Sequence, residues 1–166
     1  MAVRDILTWP DPRLSEVCAP VTAGEDIDAL VADLFATMYA APGRGLAAPQ
    51  IGVMKRVFVT DTTWKEGSRT PIAFINPRIS QQSEMLATGD EGCLSIPGLM
   101  LGITRPEWVA MEWVTPDGDG AARRFDGFAA ACVCHELDHL DGIVTLDHLN
   151  EAERSAAEAI YAAGRG

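Results

Sequence analysis

Basic residues are scarce in this chain: 13 Lys and Arg stand against 24 Asp and Glu, giving a formal net charge of -11. No Lys/Arg cluster forms a phosphate-neutralising stripe, so direct binding to nucleic acid is not expected. Long apolar runs are also missing. Nothing approaches the ~18 consecutive apolar residues of a membrane span, and the opening Met1 to Pro10 lacks the apolar core of a signal peptide. The expectation is therefore a cytoplasmic protein without membrane contact. Cys18, Cys93, Cys132 and Cys134 are the only cysteines. In a chain with no export signal they read as free thiols or ligands and not as disulfides. Low-complexity tracts and fixed-period repeats are absent as well, which excludes solenoids and linker-rich chains.

What is present is the composition of one soluble domain spanning residues 1–166. It is 48% hydrophobic and 22% charged, and long enough to bury a core without staples. Residues 25–41 carry Ile27, Leu30, Val31, Leu34, Phe35 and Met38 at helical spacing, with Glu25, Asp26 and Asp28 placed for the first turn. Pro42 and Gly43 end that helix. Strands are expected at 56–60, 72–77, 107–115 and 121–125, with a tight loop of small residues at 43–52 and a polar loop at 80–90. A last, Ala-rich accessory helix at about 151–163 is capped by Asn150 with Glu153. Several antiparallel strands around one functional helix make the fold class α+β.

That functional helix, at about 127–140, carries His135-Glu136-Leu137-Asp138-His139. Residues four apart share a helix face, so His135 and His139 can offer two imidazole nitrogens to one metal ion. Glu136 lies about 100° round the helix from His135, placed to handle a water beside the metal. With His135 at 0°, Phe128 falls at about 20°, Ala131 at about -40°, Cys132 at about 60° and His139 at about 40°. These residues continue the metal-binding face as the wall of an apolar pocket. Cys134, at about -100°, points away as a packing residue.

The third ligand is less direct. The extension that places a further His after Gly142 falls on Thr145, and His148 comes three residues too late. Glu158 is the spaced carboxylate that another type of metallopeptidase would use. Cys93, in a loop of small residues two positions after Glu91, is the remaining soft donor. With both histidines it leaves one coordination position open for water. Gln50 is the one amide side chain in the segment 43–52, and it can donate a hydrogen bond into a cleft.

Three segments, Gly43-Arg44-Gly45-Leu46-Ala47-Ala48-Pro49-Gln50, Glu91-Gly92-Cys93-Leu94-Ser95 and His135-Glu136-Leu137-Asp138-His139-Leu140, resemble the three motifs of the peptide deformylases in order and spacing. The stretch Ile6 to Leu14 and the pair Arg105-Pro106 match as well, so the resemblance covers nearly the whole chain. It implies an enzyme that removes the N-formyl group from the N-terminal Met of nascent polypeptides. One divalent metal would serve, Fe(II) in the cell, with Zn, Ni or Co also suited. Carried onto this chain, Cys93, His135 and His139 hold the metal. Glu136 is the general base and acid, taking a proton from water as hydroxide attacks the formyl carbon. Gln50 and the backbone N–H of Leu94 stabilise the oxyanion, each such donor being worth about 2.7 to 4 kcal/mol.

Gly45 would let substrate backbone approach, and Phe128, Ala131 and Cys132 would line the Met pocket. Glu91 and Arg105 are expected to pair and steady the Cys93 loop. Two positions depart from the pattern: Arg44 stands where the family commonly has an apolar residue, and Cys134 where it commonly has Gln. Arg44 sits where it can alter what the substrate mouth accepts. Nascent chains are met near the ribosome, but no basic tail supports docking on it. The competing readings are a different metallopeptidase using Glu158, and a paralogue with altered acyl-peptide preference or a purely peptide-binding role.

Overall fold

β2 (Val57–Thr60) is buried along its whole length in the computed structural model, which describes residues 1–165. Burial on both faces explains its run of Val57, Phe58 and Val59, since side chains alternate across a strand and both sets must be apolar. It is the second strand of a five-stranded antiparallel sheet with β1 (Gly45–Ala47), β3 (Ile72–Gln82), β6 (Trp108–Val114) and β7 (Gly120–Asp126), in the order β1-β2-β3-β6-β7. One face is covered by α1 (Asp28–Ala40), whose Leu34 and Met38 pack with Val57, Val59 and Ile75. The other face receives α2 (Gly127–Leu140). There Ala130, Val133, Cys134 and Leu140 meet Phe58, Phe74, Met111, Trp113 and Phe125.

A separate antiparallel pair, β4 (Leu86–Cys93) and β5 (Ile96–Pro106), closes the molecule over the free face of α2. Beneath β5 lies α3 (Glu151–Arg165), which buries Ala157 and Tyr161 with Leu14, Ile96, Leu99 and Leu146. The Tyr161 hydroxyl donates to the Trp9 carbonyl at 2.7 Å. At the start of α3, Asn150 and Glu153 exchange backbone-to-side-chain hydrogen bonds at 2.8 and 3.1 Å, the reciprocal cap their spacing implies.

The strand β7 passes into α2 without a loop. Gly127, at φ +58, makes the change of direction that a residue with a Cβ resists. Three expectations change in detail. The segment 80–90 is not a loop: β3 runs on to Gln82, and β4 begins at Leu86. Its polar residues sit on exposed strand faces and at a bulge where Gln81 pairs with Ala110, so no apolar alternation marked them. Within 43–52, Gly45 to Ala47 pair with Phe58 to Thr60, because ladder bonds use backbone groups that small residues also carry. The first helix starts at Asp28. Glu25 and Asp26 instead hold the preceding turn, accepting from Thr22 and from the Asp28 N–H. No helix among the described residues is long and apolar enough to cross a membrane.

Candidate metal centre

α2 delivers its two histidines to the end of β4. The Cys93 sulfur lies 3.4 Å from His139 Nε2, and one donor atom from each of Cys93, His135 and His139 falls within 4.8 Å of the others. All three residues are buried. A shift in the β4–β5 register between Gly92 and Cys93 turns the thiol inward. A soft sulfur with two imidazoles is the donor chemistry of Fe(II), Zn, Ni and Co, so these residues fit such an ion. Burial, and then the neighbouring His135, push the pKa of His139 well below the ordinary imidazole value.

His135 is oriented from behind. Its Nδ1 meets Glu91 Oε1 at 2.9 Å, which leaves Nε2 to face the cluster. Glu91 is gripped in turn by Arg105, through Nε at 2.7 Å and a second guanidinium nitrogen at 3.0 Å. Arg105 is only 6% exposed, so this pair is part of the interior and not a surface contact. Burial raises the Glu91 pKa, but hydrogen bonds from His135 and Arg105 outweigh it and hold the carboxyl below its usual value. A third partner, Asp138, meets Arg105 at 3.0 Å.

Glu136 lies on the cleft floor with its Oε1 buried and unpartnered by any protein group. Burial pushes its pKa up to about 7, the environment of a carboxyl that exchanges a proton at neutral pH. Gly45 faces it closely: a Cβ there would stand 2.6 Å from Glu136 Oε2. The missing side chain thus makes room for the carboxylate itself, a reason that helical and loop spacing could not disclose. Gly43 is constrained by Leu94 in the same way, at 2.7 Å.

Gln50 is fixed at both ends of its amide. Its Oε1 accepts the Ala47 N–H at 2.9 Å, while Nε2 donates to Ser95 Oγ at 3.0 Å and reaches to 3.8 Å from the Cys93 sulfur. The N–H end is therefore aimed at the cluster. Leu94 occupies the turn between β4 and β5 and lines the same cleft, a space of about 1320 Å³. Phe128, Ala131 and Cys132 line it too: Cys132 is buried and Phe128 stands at the mouth, 57% exposed. Arg44 spreads its guanidinium 5.3 Å above the Phe128 ring, and is held by Glu66 at 2.8 and 3.1 Å and by the Thr62 carbonyl at 2.7 Å.

The remaining candidates lie apart from the cluster. Glu158 pairs with Arg154 at 2.8 Å on α3, and Cys134 packs in the core beneath α2. His148 meets Asp138 at 2.8 Å. Ser95 is fully buried against Gln50, and its only signal in the sequence is its place in Glu91-Gly92-Cys93-Leu94-Ser95.

A family model for polypeptide deformylase matches residues 3–155. The peptide deformylase of Alkalilimnicola ehrlichii is 47% identical over 155 residues, spanning 93% of this chain and 86% of the relative. That of Rhizorhabdus wittichii is 44% identical over 160 residues, spanning 93% and 90%. Among solved structures, the peptide deformylase of Ehrlichia chaffeensis superposes with a TM-score of 0.91 at 34% identity, covering 99% of this chain and 98% of that one. A structure of peptide deformylase from that organism in complex with actinonin gives 0.89 at 38% identity, with full coverage of both chains.

Proposed function

The chain belongs to the polypeptide deformylase family, metal-dependent hydrolases that remove the N-formyl group from the N-terminal Met of nascent polypeptides, and we propose which of its residues carry that reaction. Cys93, His135 and His139 hold one divalent ion, Fe(II) in the cell, with Zn, Ni or Co accepted by the same donors. When bound, the metal supplies Lewis acidity that lowers the pKa of water and polarises the formyl oxygen.

The chain's own groups do the rest. Glu136 takes a proton from the attacking water and returns it to the departing amine; its unpartnered buried oxygen is free to do so. Gln50 Nε2 and the Leu94 N–H donate to the oxygen that gains charge as the formyl carbon becomes tetrahedral. Because Ala47 already engages the other end of the Gln50 amide, little reorganisation is needed at that moment. Phe128, Ala131 and Cys132 bind the Met side chain and exclude water, and Arg44 with Gly45 borders the peptide backbone. The substrate is made in the cytoplasm, which is where the enzyme acts.

The observation that carries this reading is the convergence of Cys93 with both helix histidines beside an unpaired buried Glu136. Metal analysis of purified variants tests the ligand set. Cys93→Ala should lose the ion and with it the release of formate, whereas Glu158→Ala should keep both. The reverse outcome would hand the third position to Glu158 and return the chain to a different class of metallopeptidase.

A further inference from the structure

His148 is neither a ligand nor a loose surface group. The turn after α2 folds the chain back so that His148 Nε2 lies 2.8 Å from Asp138 Oδ2, the same oxygen that Arg105 reaches at 3.0 Å. From there the path is continuous: Arg105 grips Glu91 with two nitrogens, and Glu91 meets His135 Nδ1. The short 3-10 turn that carries His148, Thr145–His148, is itself anchored. Leu146 is fully buried, Asp147 accepts the Val144 N–H at 2.8 Å, and Arg154 meets Asp147 at 2.6 Å. The imidazole is therefore presented to Asp138 by a built segment.

We propose that His148 is a positioning residue of the metal centre, acting through Asp138, Arg105 and Glu91 on the orientation of His135. Arg105, itself buried, divides one positive charge between two carboxylates, the largely buried Glu91 and the partly exposed Asp138. The N–H of His148 satisfies part of Asp138 and so leaves Arg105 free to hold Glu91. Without it Asp138 draws harder on Arg105, Glu91 is less firmly held, and His135 loses its fixed angle. Groups behind a metal-ligating histidine set both its tautomer and its aim.

The inference rests on the assignment of His135 as a ligand, and the test separates the two. Wild type, His148→Ala and His148→Gln are each loaded with one equivalent of Co(II), their visible absorption is recorded, and release to excess EDTA is followed. Partners that touch a ligand directly are typically worth about 10 to 100-fold in affinity, so this more remote one should speed release in His148→Ala by roughly 3 to 10-fold. The Co(II) spectrum of that variant should shift. His148→Gln keeps an N–H donor at similar reach and should release at close to the wild-type rate. A wild-type spectrum and release rate in His148→Ala would overturn the proposal, as would equal acceleration in Ala and Gln. Wild-type protein that takes up no Co(II) would overturn the metal-centre reading, and this proposal with it.

Discussion

At the scale of single residues, the site is defined as much by what Gly45 lacks as by what the ligands offer. A methyl group there would collide with the Glu136 carboxylate at 2.6 Å and crowd its Cγ and Cδ at 3.0 Å. The Glu136 side chain would have to rotate away from the cluster. Displacing a catalytic group by ~1 Å can cost about 100-fold in rate, so Gly45→Ala should lower kcat by that order while metal content and circular dichroism stay as in wild type. A kcat unchanged in a fully metallated Gly45→Ala protein would show that the carboxylate has room the geometry denies. Arg44 is a different kind of departure. Glu66 and the Thr62 carbonyl already occupy its guanidinium, and it lies on the Phe128 face, so its charge is largely spent on shaping the rim.

At the scale of elements, α2 works because both its ends are set by backbone conformations only glycine takes easily. Gly127 starts it directly from β7, and Gly142, at φ +73, turns the chain away after Leu140. At Gly142 the backbone of Ser15 comes so close that a Cβ would lie 2.7 Å from its carbonyl carbon and oxygen. The same turn leads the chain back to Val144, Leu146 and His148. Gly142→Ala should therefore destabilise the fold by more than the ~1 to 2 kcal/mol that left-handed backbone alone costs a residue with a Cβ. It should also loosen the segment behind Asp138. A urea-unfolding midpoint equal to wild type would contradict this account. Elsewhere Arg56 braces the end of the helix, donating to the Leu140 carbonyl at 3.0 Å and meeting Asp141 at 2.9 Å.

At the scale of the whole molecule, one helix is held between a five-stranded sheet and a two-stranded one, and the cleft opens where the second sheet leaves α2 uncovered. Much of this could be read from the chain. The expected helix at about 127–140 agrees with the observed Gly127–Leu140, and the shared face of His135 and His139 follows from their spacing of four. The meeting of Cys93 with them could only be inferred from elimination and resemblance, because contacts between β4 and α2 leave no mark in local pattern. The segment 80–90 was illegible for a related reason: its strands are exposed on both faces, so their polar residues look like a loop. The extension of the expected Glu91–Arg105 pair to Asp138 and His148 was hidden. The four residues come from four separate elements, β4, β5, α2 and the turn Thr145–His148, and no local pattern links Asp138 or His148 to the pair.

The central claim is that Glu136 moves the proton while Cys93, His135 and His139 hold the ion. The most direct measurement is formate release from a formyl-Met peptide per bound iron, with wild type and Glu136→Gln both loaded anaerobically to one equivalent. The account predicts turnover in wild type, and in Glu136→Gln full metal occupancy with a rate lower by about 100-fold or more. No formate from fully loaded wild type, or near-normal turnover in Glu136→Gln, would contradict it.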